Sequence, residues 1–256
     1  MLGAIIGDIA GSVYEKSGMK DPDFPFFRAD CRFTDDTVLT LAVADALLHK
    51  RPFGISLRHF GRTYPHRGYG GMFTDWLKDE NAGPYNSYGN GAAMRVSPVG
   101  FAGRSLDQVL ELARQSAEPT HNHPEGIKGA QAVAAGIFLG RQGKGKEAIR
   151  TTLEELFGYD LRRKTDEIRP AYRFDVTCQG SVPESIIAFL DSHDVESAIR
   201  LAVSMGGDAD TMAAIAGGLA HAHYRRIPLP FVYRASQVLT PALWSIVVAF
   251  HRKYKT

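Results

Sequence analysis

Hydrophobic residues recur along most of this 256-residue chain at the three- and four-residue spacing of an α-helix. Leu39, Val43 and Leu47 form one such stripe, and similar stripes begin near Leu106 and Val195. Each stripe covers one face of a helix that can pack against a core. The alternation typical of strands is scarce, since only residues 174–178 read as a short extended piece. The pattern predicts an all-α protein.

Glycine and proline concentrate between the predicted helices. The connecting segments are expected at residues 51–54, 65–71, 81–91, 119–126 and 158–183. Pro183 followed by Glu184 favours a helix start at that point. The chain has 26 glycines, about one residue in ten, against a usual share of ~7%. Because no shift in composition, repeat or low-complexity tract divides the chain, we expect a single domain over residues 1–256.

The charge balance narrows the functional class. Thirty Lys and Arg face 28 Asp and Glu, which gives a formal net charge of +2. This lacks the basic excess that binding to duplex nucleic acid requires. Cys31 and Cys178 lie far apart and outside any CxxC pattern, so neither a disulfide framework nor a cysteine zinc site is expected. Without a signal peptide or an apolar run of ~18 residues, we expect a cytoplasmic protein with no membrane span, and a monomer.

Two segments place carboxylate and hydroxyl side chains just ahead of predicted helices. They are Phe33-Thr34-Asp35-Asp36-Thr37, before residues 38–49, and Gly206-Gly207-Asp208-Ala209-Asp210-Thr211, before residues 212–224. Helix capping explains one or two of these side chains, but not all of them. If the two helix starts meet, four carboxylates share a small volume and raise one another's pKa. A hard divalent cation relieves that repulsion, and oxygen ligands favour two Mg²⁺ or Mn²⁺ ions over Zn²⁺.

Further candidates lie in the glycine-rich loops and near the N-terminus. Residues 67–71 and 87–95 could bring backbone N–H groups close to a phosphate, although turn formation alone is the alternative. Tyr69 and Tyr88 beside these glycines could stack on a base. His121 is favoured as a hydrogen-bond donor to a ligand, with helix capping as the alternative. Glu15 follows Asp8 by two helical turns and can face the same side, unless it is only a solvated residue.

These motifs together resemble those of the ADP-ribosylglycohydrolase family. The resemblance runs from about residue 2 to residue 224 and is carried by Phe33-Thr34-Asp35-Asp36-Thr37, Gly89-Asn90-Gly91-Ala92-Ala93-Met94-Arg95, Thr120-His121 and Gly206-Gly207-Asp208-Ala209-Asp210-Thr211. Each motif alone is weak, but their ordered conjunction is specific. The resemblance implies an all-α fold, a binuclear Mg²⁺ or Mn²⁺ centre, and hydrolysis of the bond between ADP-ribose and an acceptor. Residues 158–183 match no motif of the family.

The resemblance also implies roles for single residues. Thr34, Asp35 and Asp36 look like ligands of one metal, Asp208 and Thr211 like ligands of the other, and Asp210 like a bridging carboxylate. Glu15 and Asp36 are candidates for the catalytic carboxylate. The expected contacts with ADP-ribose are Gly68, Tyr69, Gly70, Gly71, Ser87, Tyr88, Asn90, Gly91 and His121.

Several alternatives remain open from the sequence. The substrate is expected to be an ADP-ribosylated protein or a small ADP-ribose conjugate, with nucleic acid only as an ADP-ribosylated substrate. One rival is a metal-dependent hydrolase that cuts the diphosphate itself. Another is a catalytically silent ADP-ribose-binding or structural relative. The intact Thr-Asp-Asp and Asp-x-Asp-Thr motifs argue against the silent relative.

Overall fold

A computed structural model describes residues 1–255 of the chain, and within that range it contains fifteen helices and no strand. The helices are α1 (Leu2–Gly11), α2 (Asp35–His49), α3 (Phe53–Thr63), α4 (Gly71–Lys78), α5 (Gly91–Met94), α6 (Ser97–Ala102), α7 (Leu106–Ala117), α8 (Pro124–Arg141), α9 (Lys146–Phe157), α10 (Thr165–Ile168), α11 (Cys178–Asp191), α12 (Val195–Val203), α13 (Ala209–Tyr224), α14 (Leu229–Val238) and α15 (Pro241–Tyr254). The predicted all-α class is confirmed. No helix within residues 1–255 is both long and apolar enough to cross a membrane.

Helices α1 and α13 lie at the centre of the fold with their backbones in contact. A Cβ added at Gly7 would overlap the carbonyl oxygen of Ala213, and one at Gly11 would lie 2.6 Å from Cα of Asp210. Both helices are buried along most of their length. Glycine is therefore required on α1 because any larger residue would push α13 away. This contact fixes the start of α13 beside the C-terminal end of α1.

The starts of α2 and α13 differ in how they are capped. Thr34 precedes α2, and its side chain accepts a hydrogen bond from the backbone N–H of Asp36, as expected for an N-cap. Asp208 occupies the same position ahead of α13, but its side chain makes no capping hydrogen bond. The carboxylate of Asp208 is therefore free to act elsewhere.

The segment 158–183 is more ordered than its composition predicts. It contains α10 and the first residues of α11, so Pro183 lies inside α11 rather than at its start. The helix begins earlier because the side chain of Thr177 accepts a hydrogen bond from the N–H of Gly180 and caps it. The predicted extended piece reduces to a single antiparallel bridge between Thr177 and Gly89.

Candidate active site

One cleft of about 340 Å³ collects all but two of the residues that the sequence singled out. Those that line it are Glu15, Thr34, Asp35, Asp36, Gly68, Gly70, Gly71, Ser87, Asn90, Gly91, His121, Asp208, Asp210 and Thr211. The starts of α2 and α13 meet here, as the two motifs require. The loops before α4 and α5 form further parts of the wall.

The carboxylates at the base of this cleft are buried and repel one another. Burial, together with the negative charge of Asp8, raises the pKa of Asp35 to about 8. Burial and neighbouring carboxylates also raise the pKa of Asp36 and Asp210 well above the ordinary value. The Oδ1 atom of Asp36 is buried and has no hydrogen-bond partner among residues 1–255. Its Oδ2 atom accepts a long hydrogen bond of 3.4 Å from Thr211 and lies 3.3 Å from the Thr34 hydroxyl oxygen, whose single proton makes the shorter 2.6 Å bond to Asp8.

These residues fit a hard divalent cation. Asp8, Asp36 and Asp210 each offer one carboxylate oxygen, and the three oxygens lie within 4.8 Å of one another. The donors are all oxygen atoms, which suits Mg²⁺ or Mn²⁺. A buried, unpartnered carboxylate oxygen is costly unless a cation or a proton compensates it. The base of the cleft is therefore a candidate metal site.

Asp8 belongs to this cluster, although it was not among the predicted site residues. Its Oδ1 accepts a hydrogen bond of 2.6 Å from the Thr34 hydroxyl, and its Oδ2 accepts from the N–H groups of Thr34 and Thr37 and from the Thr37 hydroxyl. Asp8 thus fixes the turn that presents Thr34, Asp35 and Asp36. The signal in the sequence is a carboxylate that interrupts the apolar run of α1.

The loop before α5 is tied to the start of α13. The side-chain amide of Asn90 donates to Asp208 Oδ2 at 2.8 Å and to the Ser181 hydroxyl at 3.2 Å. The backbone N–H of Asn90 donates to the carbonyl of Val176 at 2.8 Å. Asn90 therefore orients Asp208 and connects three segments that are far apart in the chain.

Two predicted contacts, Tyr69 and Tyr88, do not line the cleft. The hydroxyl of Tyr69 donates to the carbonyl of Tyr64 at 2.8 Å, and its ring stacks against Phe73 with 5.4 Å between centroids. The ring of Tyr88 is half exposed and lies edge-on to His123, 5.3 Å away. The ring of Tyr69 thus packs behind Phe73, which lines the cleft, and the ring of Tyr88 packs against His123, so neither tyrosine is among the lining residues.

Other residues that the sequence reasoning missed do line the cleft. Tyr85 and Arg95 are two of them, and Phe174 and Val176 come from the segment that matched no motif. Phe174 and Val176 are about half exposed, so they form an apolar rim on the cleft. Their position depends on pairing between residues 174–178 and the loop before α5, which no local sequence pattern reveals.

Comparison with known proteins agrees with this geometry. Residues 1–251 match the ADP-ribosylglycohydrolase family. The chain belongs to that family. It is 29% identical to the ADP-ribosylhydrolase ARH3 of Mus musculus, over 92% of this chain and 85% of the relative. It is 28% identical to the ADP-ribosylarginine hydrolase Tri1 of Pseudomonas putida (strain GB-1), over 88% of this chain and 69% of the relative.

A solved structure supports the same family. An "ADP-ribosylglycohydrolase-related protein complex" superposes with a TM-score of 0.69 at 26% identity, covering 98% of this chain and 96% of that chain. The resemblance seen in the sequence is thereby confirmed. Membership of the ADP-ribosylglycohydrolase family supports an enzyme that hydrolyses ADP-ribosyl bonds. It does not favour the silent relative or the diphosphate hydrolase.

Proposed function

We propose that this protein hydrolyses the glycosidic bond between ADP-ribose and an acceptor, at a centre of two divalent cations. The observation that carries the proposal is the meeting of Asp36, Asp208 and Asp210 with two glycine-rich loops in one cleft. A carboxylate cluster alone suits many metal enzymes, and glycine-rich loops alone suit many phosphate binders. Their combination in a member of this family favours an ADP-ribosylated substrate.

The cations would be Mg²⁺ or Mn²⁺. Thr34, Asp35 and Asp36 would hold one ion, Asp208 and Thr211 the other, and Asp210 would bridge them. When bound, the ions would supply positive charge that offsets the negative charge of the buried carboxylates. They would also act as Lewis acids toward the sugar oxygens. The unpartnered Oδ1 atom of Asp36 supports this assignment because it has no other compensating group among the described residues.

The substrate's diphosphate would lie against the two glycine-rich loops. Gly70 precedes α4 and Gly71 begins it, so free N–H groups of a helix start face this part of the cleft. A Cβ added at either glycine would meet no atom within 4 Å, which leaves open space for a ligand. Asn90 and Gly91 would contact the ligand from the opposite loop, with His121 beside them.

Glu15 and Asp36 are the proposed catalytic carboxylates. Glu15 is partly exposed and lines the cleft. Burial is the main cause of the raised pKa of Asp210, and the negative charge of Glu15 is a further cause. Glu15 lies at the edge of the carboxylate cluster, whereas Asp36 is buried inside it. Glu15 would accept the proton of the attacking water or assist the leaving acceptor through an oxocarbenium-like transition state.

The substrate would be an ADP-ribosylated protein side chain, such as arginine or serine, or a small ADP-ribose conjugate. ADP-ribose would be one product. We propose a monomeric cytoplasmic enzyme that recognises nucleic acid only where it carries ADP-ribose. The modest net charge of +2 supports this limit on nucleic-acid binding.

A substrate panel tests the proposal. ADP-ribosylated arginine and serine peptides and O-acetyl-ADP-ribose are incubated with the protein and Mg²⁺ or Mn²⁺, and the products are separated. We expect free ADP-ribose from at least one substrate and none after chelation of the metal. Release of AMP instead would identify diphosphate cleavage, and binding of ADP-ribose without turnover would identify a silent relative.

A further inference from the structure

Arg95 is a fully buried cation that makes no ion pair within residues 1–255. Its Nη2 atom donates hydrogen bonds to the carbonyl of Ser116 at 2.9 Å and to the hydroxyl of Thr120 at 2.8 Å. Its Nε and Nη1 atoms have no partner among the same residues. Burial lowers the pKa of Arg95 to about 10, so the side chain is still charged at neutral pH. A buried guanidinium without a carboxylate is costly, which favours a role at the cleft it lines.

Thr120 connects this cation to His121. The Thr120 hydroxyl oxygen lies 2.7 Å from Nδ1 of His121 and 3.4 Å from the carbonyl oxygen of Ala117. A guanidinium can only donate, so the Thr120 oxygen accepts from Arg95 and keeps its own proton to donate. If Nδ1 donated to this oxygen, the Thr120 proton would be left with the Ala117 carbonyl at 3.4 Å, whereas with Nδ1 as acceptor that proton makes the 2.7 Å contact, and the geometry therefore favours donation from Thr120 to Nδ1. Nδ1 then acts as the acceptor.

The protonation of His121 follows from this contact. Burial and the positive charge of Arg95 lower the pKa of His121 well below its ordinary value, so the ring is neutral at neutral pH. A neutral imidazole carries a single proton, and with Nδ1 as acceptor that proton lies on Nε2. Nε2 faces the loop before α5, since a Cβ added at Gly91 would lie only 3.0 Å from it.

We propose that Arg95 and Thr120 are positioning residues that hold His121 in its Nε2–H tautomer, so that His121 presents a hydrogen-bond donor to the oxygen atoms of ADP-ribose. The identity of that ligand rests on the proposed function, whereas the tautomer is a property of the free protein. In the opposite tautomer Nε2 would turn a lone pair toward an electron-rich ligand and repel it. The glycine at position 91 leaves the room that the ligand needs beside Nε2.

Nitrogen-15 NMR of the histidine ring in the free, full-length protein tests the tautomer directly. We expect the wild-type spectrum of His121 to show a protonated Nε2 and an unprotonated Nδ1, with the resonance identified by its loss in His121→Ala. A protonated Nδ1 in the wild type would overturn the proposal. This measurement needs neither substrate nor metal, so it does not depend on the proposed function.

Thr120→Val and Thr120→Ser form a matched pair that tests whether the Thr120 hydroxyl sets the tautomer of His121 and the affinity for ADP-ribose. Valine keeps the shape but removes the hydroxyl, and we expect it to give a mixture of tautomers and about tenfold weaker binding of ADP-ribose by calorimetry. Serine keeps the hydroxyl and is expected to retain both tautomer and affinity. Circular dichroism establishes that both variants are folded. A folded valine variant with unchanged tautomer and affinity would refute the role of Thr120.

The two proposals fail in distinguishable ways. Wild-type protein with a protonated Nε2 that does not bind ADP-ribose would refute the proposed function but support the tautomer assignment. Wild-type protein that binds ADP-ribose with a protonated Nδ1 would refute the positioning role alone.

Discussion

Two groups of buried charge face the same cleft, and they are held in place by different means. At the base, contact between the backbones of α1 and α13 brings Asp8 close to Asp210, and hydrogen bonds of Asp8 and Asn90 then orient the start of α2 and Asp208. Arg95 and His121 are positioned by side-chain hydrogen bonds through Thr120. Backbone contact leaves no freedom to adjust, whereas a hydrogen-bonded chain of side chains can be altered one group at a time. We therefore expect substitutions among the carboxylates at the base of the cleft to have larger effects than substitutions around Arg95 and His121 in its wall.

The electrostatic contrast is equally clear. At the base, several clustered carboxylates favour a cation, while at the wall the guanidinium of Arg95, which has no carboxylate partner among the described residues, favours an anion. A cleft that combines a carboxylate cluster with a buried guanidinium suits the ligand of the proposed function, in which the diphosphate is an anion and the sugar would be held by metal ions. Asn90 and Gly91 join the two groups, because Asn90 bonds Asp208 and Gly91 lies against His121.

The largest expected effect comes from Asp210→Ala at the base. Loss of the carboxylate that we propose to bridge the two ions should reduce hydrolysis by about a thousandfold or more, on the scale of losing a principal electrostatic group. The cation-induced rise in melting temperature should disappear as well. Initial rates and thermal unfolding with and without Mg²⁺ measure these effects. Asp45→Asn is the control, since Asp45 is a buried carboxylate that bonds Ser56 and Arg51 outside the cleft. Full activity of Asp210→Ala would refute the proposed centre.

Gly7→Ala tests whether backbone contact positions the base. The added methyl group would overlap the carbonyl of Ala213, so α1 must move away from α13. We expect a loss of about 3 kcal/mol in the free energy of unfolding, measured in urea. Gly83→Ala is the matched control because its Cβ would meet nothing within 4 Å and it lies outside the helices, and we expect a change within about 0.5 kcal/mol. Wild-type stability of Gly7→Ala would contradict the role of this contact.

A pH titration of stability without metal tests the charge at the base. Unfolded carboxylates lose their protons near pH ~4, whereas burial and mutual repulsion raise the folded pKa of Asp35 to about 8. The folded state therefore binds more protons than the unfolded state between these values. The stabilising contribution is complete below pH ~4 and is lost as the pH rises through the folded pKa. Buried histidines with lowered pKa values oppose this contribution over part of the interval, so we expect the melting temperature in EDTA to fall from about pH 5 to about pH 8 relative to that of Asp35→Asn.

A substitution of Asp35 and the addition of Mg²⁺ each isolate the contribution of the carboxylates to the pH dependence of stability. Asp35→Asn should make the fall with pH shallower, since one titrating group is removed. Added Mg²⁺ should oppose the fall, because cation binding becomes stronger as the ligands lose their protons. An identical pH dependence in the wild type and Asp35→Asn would show that the folded protein does not raise the pKa of Asp35.

The smallest expected effect concerns the apolar rim. Phe174→Ala removes a half-exposed ring that lines the cleft without belonging to either charged group. Aromatic contacts of this kind contribute about 0.5–1.5 kcal/mol, so we expect roughly three- to tenfold weaker binding of ADP-ribose in calorimetry. Leu229→Ala, at an exposed position on α14, should leave the affinity unchanged. Equal affinities for the two variants would place the ligand away from this rim.

Much of the fold could be predicted from the sequence because helices are local structures. The spacing of Leu39, Val43 and Leu47 predicts α2, although the helix starts three residues earlier than predicted because Thr34 caps it. Pro183 was a misleading signal, since the cap at Thr177 started α11 earlier. Local signals thus predict that a helix exists more reliably than where it begins.

The candidate site was predictable where a motif concentrates chemistry within a few residues. Thr34, Asp35 and Asp36 are such a case. No individual role is predicted for Asp8 or Arg95. Asp8 is a single polar residue in an apolar run, and Arg95 is the last residue of a family motif. Only their hydrogen-bond partners reveal what each side chain does. The contact of Tyr69 with the ligand stays a prediction, and only the tertiary structure shows that its hydroxyl bonds to Tyr64 and its ring stacks on Phe73.

By itself the sequence determined the helical class, the oxygen-rich motifs and the glycines that permit close approach. Those features depend on neighbours within one or two helical turns. The tertiary structure decided which of them meet: it brought the starts of α2 and α13 together, excluded Tyr69 and Tyr88 from the cleft, and added Asp8, Arg95 and Phe174. The physical reason is that these meetings depend on packing between helices far apart in the chain, where a glycine such as Gly7 sets the distance between two backbones.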